Sequence, residues 1–333
     1  MTKDNIIVSI IVPCYNEENT IQLLLDAILK QDFPIEQMEV VIADALSTDA
    51  TRERIAEFIQ EKPQLQVNVV DNEKRTIPAA VNAAAEAARG TYLVRVDAHS
   101  MPYPNYVSTS LQELQAGKGA NVGGVWEIRP GADTKIARII AKAAGTPLAV
   151  GDARYRYSDK AGVVDTVPFG SFRRDQFFAV GGFDESLLAN EDYEFNVRIR
   201  NAGGKIWFNP DIRCVYFARK DLGELAKQYW RYGFWKWRML KRYPGTIRWR
   251  QALPPLFVLG NILGIIASFF SPVLAWIYLS VLGFYLMILL LEGIRKAIKE
   301  KDFAFVLGLP AAIMTMHFCW GAGFLYSAMK KIN

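Results

Sequence analysis

Apolar and polar positions follow two regimes along the 333 residues. In the first hundred, short apolar runs alternate with segments of helical spacing. "IIVSIIVP" (6–13) is nearly all apolar and rich in Ile and Val, as expected of a strand covered on both faces. Ile21, Leu24, Leu25, Ile28 and Leu29 then recur at helical spacing. "EVVIAD" (39–44), a helix from Asp49 to Ile59, "QVNVVD" (66–71), an Ala-rich helix at 77–88 and "TYLVRVD" (91–97) continue the alternation. A βαβαβαβ order with short loops predicts an α/β fold built on a doubly wound, mostly parallel sheet. Ligands on such sheets bind past the carboxyl ends of the strands.

The second regime begins after residue 226. "KQYWRYGFWKWRMLKRYPGTIRWRQ" (227–251) carries eight Lys and Arg, no acid, and many interleaved aromatics. That mixture suits a helix lying on an anionic membrane surface, or a groove for single-stranded nucleic acid. The following stretch decides for the membrane and against nucleic acid. Residues 253–291 hold no charge, about twice the roughly 20 residues needed to cross a bilayer, with Ser271-Pro272 as a natural turn. "EGIRKAIKEKD" (292–302) is a charged loop, and 303–328 is a third uncharged stretch. Two transmembrane helices are expected, with a third at 303–328. The basic segments then share one side, the cytoplasmic one by the positive-inside tendency. A third span leaves Lys330 and Lys331 on the far side, so a re-entrant or interfacial last segment is the alternative.

The net charge of +5 adds little to this. The chain start lacks the length and cleavage pattern of a signal peptide, so the N-terminal part is expected in the cytosol of a multi-pass plasma- or inner-membrane protein. Cys14, Cys214 and Cys319 are scattered and odd in number, which fits reduced thiols rather than a disulfide frame or zinc site. His317 reads as a structural residue between helices, and the glycines of "CWGAGF" as a close helix contact.

The strand ends carry the candidate chemistry. They read "PCYNEE" (13–18), "DALSTD" (44–49) and "DAHS" (97–100), which brings Glu17, Asp44, Asp97 and His99 to one rim. No G-x-G-x-x-G follows the first strand, so a dinucleotide site is disfavoured and a bound diphosphate needs another counter-charge. A divalent metal, Mg²⁺ or Mn²⁺, held by Asp97 and His99 with phosphate oxygens completing its shell, supplies one.

Six stretches together resemble the GT-A-fold family 2 glycosyltransferases, and more closely their membrane-associated, succinoglycan-biosynthesis ExoA-like branch. They are "SIIVPCYNEE", "VVIADALSTDAT", "KRTIPAAVNAAAEAARGTYLVRVDAHS", "VDTVPFGSFRRDQFFAVGGFDESL", "NEDYEFNVRIRNAGGKIWFNP" and "QYWRYGFWK", in the family's order over about residues 6–240. The resemblance implies that Pro13, Tyr15 and Glu17 surround the base and ribose of a nucleotide-sugar donor, a UDP-sugar first among them. Asp44 contacts uracil or ribose, and Lys74 and Arg75 lie near the diphosphate. "DAH" stands where the family's D-x-D is commoner, making Asp97 and His99 the metal ligands. Asp192 in "NED" becomes the catalytic base, with Glu191 beside it. Gln228, Arg231 and Tyr232 are similar to the family's Q-x-x-R-W motif, which helps hold the acceptor sugar or diphosphate. Plainer roles exist for each residue: Asp97 as a loop cap, Asp192 as a helix-start acid, Gln228, Arg231 and the pair Lys74 and Arg75 as solvated polar groups.

The expected organisation is a GT-A catalytic domain over 1–220, a basic, aromatic interfacial segment over 221–251, and a membrane domain over 252–333 with spans near 253–271, 273–291 and 303–328. The implied activity is inverting, metal-dependent hexosyl transfer to a lipid-linked (polyprenyl-diphosphate) saccharide in exopolysaccharide or related glycan synthesis. A transferase acting on polyprenyl phosphate itself, and a non-catalytic nucleotide-sugar-binding scaffold, are the alternatives.

Overall fold

The computed structural model describes residues 6–330; the chain start and Lys331 lie outside the described residues. The chain forms two compact units, one from residues up to Glu127 with Arg154–Tyr216, the other from Ile128–Ala153 with Phe217 onward.

The first unit opens with β1 (Val8–Cys14), α1 (Ile21–Leu29), β2 (Met38–Asp44), α2 (Thr51–Glu61), β3 (Gln66–Asp71), α3 (Ile77–Ala87) and β4 (Tyr92–Arg95). These strands pair in parallel in the order β3-β2-β1-β4. β2 is buried at every residue because α1 and α3 belong to the apolar clusters on its two faces. Both sides of β1 are likewise filled, Ile10 and Val12 with Leu24 and Leu25, and Ile11 with Val81 and Ala84.

Past β4 the sheet becomes mixed. β5 (Ser100–Pro102), α4 (Tyr106–Gln115), β6 (Asn121–Arg129), β7 (Gly162–Val164), β8 (Ser171–Arg173), α7 (Arg174–Ala179), α8 (Glu191–Asn201) and β9 (Ile206–Phe217) complete it, with α5 (Lys135–Ala144) and α6 (Pro147–Val150) lying between β6 and β7 in sequence. β8 runs antiparallel to both β4 and β6, and β9 runs antiparallel to β5 and β7. Three of these added strands have only three residues each, too few to show a period of two.

The second unit contains α5, α6, α9 (Leu222–Arg242), α10 (Trp249–Ser268), α11 (Pro272–Glu300) and α12 (Ala304–Met329). Helices α10, α11 and α12 are long and apolar enough to cross a membrane. α12 is the inner one: 39% of its most apolar window is buried, against 11% for α10 and 6% for α11. Its Leu309, Ile313 and Met316 join Ile139 and Ile140 of α5 and Leu225 and Tyr229 of α9 in one core. α5 is strongly amphipathic, and its outward Lys142 pairs with Glu300 at 2.8 Å.

Small residues set how closely these helices approach. A Cβ on Gly233 of α9 would stand 1.9 Å from the Trp320 carbonyl oxygen of α12, and one on Gly323 would stand 2.3 Å from that of Trp230. His317 of α12 places Nδ1 3.0 Å from the Tyr285 hydroxyl and Nε2 3.1 Å from the Leu148 carbonyl. It bridges α11, α12 and α6 as a structural residue would.

Candidate active site

The site is assembled from the carboxyl ends of β1, β2 and β4. Parallel pairing aligns Cys14 with Asp44, and Ile11 with Arg95, so the loops that follow emerge on one side. The first two loops are stitched together by polar contacts. The Asn16 amide donates to Ser47 Oγ (2.9 Å), Thr48 N–H donates to Asn16 Oδ1 (2.9 Å), and Glu17 N–H donates to Thr51 Oγ1 (2.7 Å). Asn16 takes φ 54°, a left-handed geometry that Asn tolerates better than most residues. Tyr15 is half exposed and Pro13 half-buried beside this seam.

Asp44 is fully buried. Its carboxylate accepts from Ser47 N–H (3.0 Å), Ser47 Oγ (2.5 Å) and Arg52 Nε (2.6 Å), and Arg52 also pairs with Asp71. The acid thus fixes the loop's shape. Lys74 and Arg75 follow β3; both side chains are exposed, and Lys74 Nζ lies 2.6 Å from Glu185 Oε2. That contact holds the lysine's pKa above its ordinary value.

After β4, "DAHS" turns with Ser100 Oγ donating to the Asp97 carbonyl (2.6 Å). His99 Nδ1 sits 2.8 Å from Glu17 Oε1, joining the first and fourth loops. With Nδ1 as the donor to that carboxylate, Nε2 is the lone-pair nitrogen, the arrangement that orients a metal-binding imidazole. Among the described residues no group of three or more His, Cys, Asp and Glu is gathered for a metal. Two protein donors of this kind, an imidazole nitrogen and the partly exposed Asp97 carboxylate, fit a divalent ion whose remaining ligands come from a diphosphate.

The second half of the site comes from α8. Asn190 caps it at φ 63°, turning Glu191 and Asp192 into the first helical turn. Asp192 is partly exposed and its Oδ1 accepts from Tyr193 N–H (2.7 Å), whereas Glu191 is buried. Burial, reinforced by the negative charge of Asp192, pushes Glu191 up to about 7. Burial likewise raises Asp192, against the pull of Arg95. A carboxylate with raised proton affinity suits a general base at neutral pH.

Arg95 connects the two halves, and the sequence motifs do not single it out. Its NH2 lies 3.3 Å from Asp97 Oδ1 and 3.5 Å from Glu191 Oε1, and the side chain is 4% exposed. A lone Arg inside the apolar run "YLVRV" was the available signal. The structure therefore brings together Glu17 with His99, Asp44 with the loop after it, and Asp97 with Glu191 and Asp192 through Arg95. Gln228, Arg231 and Tyr232 lie on α9 in the other unit, where Gln228 Nε2 donates to the Tyr232 hydroxyl (3.0 Å).

Known proteins match both the sequence and the fold. Residues 9–180 match the family model described as glycosyl transferase family 2. The succinoglycan biosynthesis protein ExoA of Rhizobium meliloti is 32% identical, covering 95% of this chain and 93% of its own length. A Methanococcus voltae dolichyl N-acetyl-alpha-D-glucosaminyl phosphate 3-beta-D-2,3-diacetamido-2,3-dideoxy-beta-D-glucuronosyltransferase is 27% identical over 97% of both chains. In structure, the mannosyltransferase PcManGT from Pyrobaculum calidifontis, solved with GDP-Man and Mn²⁺, aligns at TM-score 0.60 and 21% identity, over 93% of this chain and 85% of its own. That likeness supports the GT-A fold. With over half of its residues in the family model and a 32% identical full-length relative, this chain belongs to glycosyl transferase family 2.

Proposed function

We propose that this glycosyltransferase is anchored in a membrane by α10–α12 and moves a sugar, with inversion, from a nucleoside-diphosphate donor to a lipid-linked saccharide. The observation that carries the reading is the placement of the Glu191–Asp192 pair across Arg95 from Asp97. The names of two relatives, one for succinoglycan biosynthesis and one for a dolichyl phosphate-linked sugar as acceptor, support the acceptor class. They support a polyprenyl-phosphate acceptor or a binding scaffold less well.

The chemistry follows from the acids. Pro13, Tyr15 and Glu17, on the wall shaped by Asp44, receive the nucleoside, with UDP the first candidate. Asp192 takes the proton of the acceptor hydroxyl as its oxygen attacks the anomeric carbon. The bond from that carbon to the diphosphate oxygen breaks, and the nucleoside diphosphate leaves with the electron pair. One base without a covalent nucleophile gives inversion at that carbon. A divalent metal bound by Asp97 and His99 would neutralise charge on the diphosphate. Arg75 and Lys74 add positive charge on the donor side, and Gln228, Arg231 and Tyr232 are assigned to the acceptor or its phosphates. The cytoplasm is the side assigned to this chemistry.

Nucleoside-diphosphate release by the detergent-solubilised chain, across UDP- and GDP-sugars with and without lipid-extract acceptor, tests this. One donor is expected to respond to the acceptor, with loss on chelation and recovery with Mn²⁺ or Mg²⁺. Transfer that ignores chelation would refute metal use, and an α product from an α donor would refute inversion.

The acid pair also sets a pH dependence. The base must be ionised, so activity rises with pH as Asp192 ionises, at a pKa that burial lifts above the ordinary carboxylate value, while its neighbour Glu191 is lifted to about 7. Arg95, Asp97 and the two acids themselves are the charges that set it. Glu191→Gln removes the acid lifted to about 7 and leaves Asp192 to set the acidic limb of kcat/KM, so the limb is expected to persist. Its disappearance would count against Asp192 as base.

A further inference from the structure

Arg95 poses an energetic problem. It ends β4 in the middle of the sheet, between β1 and β8, with its side chain 4% exposed. Burying a guanidinium is strongly unfavourable unless good geometry and further hydrogen bonds compensate. The compensation is partial. NH2 is shared between Asp97 and Glu191 at 3.3 and 3.5 Å, and among the described residues neither Nε nor NH1 has a hydrogen-bond partner. The rings of Phe183 and Phe169, 5.4 and 5.9 Å from the guanidinium carbon, supply only cation–π attraction. An apolar residue would serve the fold at least as well.

The surrounding backbone is also held in an uncommon geometry. Phe169 takes φ 61° and Gly170 φ 91°, and the Gly170 carbonyl accepts the Arg95 N–H at 3.0 Å. A bulky residue in the left-handed region is strained, and such geometries concentrate at functional sites. A guanidinium does not lose its proton in proteins. A permanent cation is therefore clamped between the donor-side acid and the acceptor-side pair.

We propose that Arg95 is a positioning residue for transfer, holding Asp97 and the Glu191–Asp192 pair in fixed relation while negative charge shifts from one side to the other. The proposal rests on the functional reading above. As Asp192 gains the acceptor proton it loses its charge, while charge grows on the diphosphate beside Asp97. A preoriented cation between the two sites stabilises both distributions without reorganising. Its directional fork, shared between two carboxylates, is what a lysine cannot reproduce in full.

The test compares Arg95→Met, Arg95→Lys, Glu191→Gln and the double variant Arg95→Met/Glu191→Gln in the full chain. The readouts are kcat, donor KM, donor hydrolysis without acceptor, and the thermal midpoint. Arg95→Met is expected to lower kcat about a hundredfold while moving donor KM less than about threefold. Arg95→Lys should recover roughly tenfold of that loss, and in the Glu191→Gln background Arg95→Met should cost less than about fivefold, because Arg95 then pairs with Asp97 alone and no longer ties it to a charged Glu191. Wild-type kcat in Arg95→Met would overturn the proposal. So would losses that multiply in the double variant, or a Lys variant no better than Met with both melting lower. If Arg95→Met fails to fold, the Lys variant and the double variant, which removes one stranded carboxylate, still decide. Donor hydrolysis keeps this test apart from the acceptor assignment: coupling seen in hydrolysis without transfer to any lipid-linked saccharide would sustain Arg95 and refute the acceptor.

Discussion

Asp192→Asn is expected to lower transfer by about 10²- to 10⁴-fold while leaving donor affinity within roughly threefold, the loss typical of removing a well-placed general base. The substitution preserves shape, so the cap at Asn190 and the start of α8 should persist. Asn still offers an oxygen to the Tyr193 N–H that Asp192 now receives at 2.7 Å. What it loses is the ability to take a proton. Glu191 is a poor replacement, because it is buried and its Oε1 faces Arg95. Product formation, measured beside donor binding by calorimetry, separates chemistry from affinity. Unchanged transfer would end the assignment of Asp192 as base.

Gly233→Val should have the largest effect on stability. The new Cβ would meet the Trp320 carbonyl oxygen at 1.9 Å, and a backbone atom inside a helix cannot move aside as a flexible side chain can. The helices must separate, opening the core that Leu225 and Tyr229 share with Ile313 and Met316. A cost on the order of 3 kcal/mol or more follows, at the upper end for an overpacked contact. Thermal unfolding and size exclusion in detergent report it. Gly260→Val in α10 is the control, since nothing lies within 4 Å of its Cβ position. Equal melting of the two variants would show that the α9–α12 crossing is not so close.

How much of this was legible in the sequence depended on the length of each signal. The four parallel strands are short, mostly apolar runs with an acid at or just past the end, so both the strands and the rim carrying Glu17, Asp44, Asp97 and His99 could be read directly. The antiparallel additions could not, because three residues of β5, β7 or β8 carry no periodicity. Asp192 and Glu191 were recognisable only through the "NED" motif; their raised proton affinity comes from burial, against the opposing pull of Arg95, distant in sequence. Arg95 itself looked like one strand residue among others. Asp44 was legible as an acid at a strand end, but its saturation by Ser47 and Arg52 depends on side chains whose reach no pattern encodes. In the membrane unit, composition marked the long helices and "CWGAGF" marked a close helix contact, while the helices those glycines approach, α9 at Trp230 and α10 at Pro254, required three dimensions.

The inner position of α12 also orders events during synthesis. Residues 145–303 separate the end of α5 from the start of α12. At about 5–20 residues per second, that interval is on the order of 10–30 s. Throughout it the Ile139 and Ile140 face of α5 lacks the partner that later covers it, and over its last part, residues 243–303, so does the Leu225 and Tyr229 face of α9. The lipid surface or a chaperone must shelter these faces in the meantime, so the nascent chain is most vulnerable to aggregation just before its last long helix emerges.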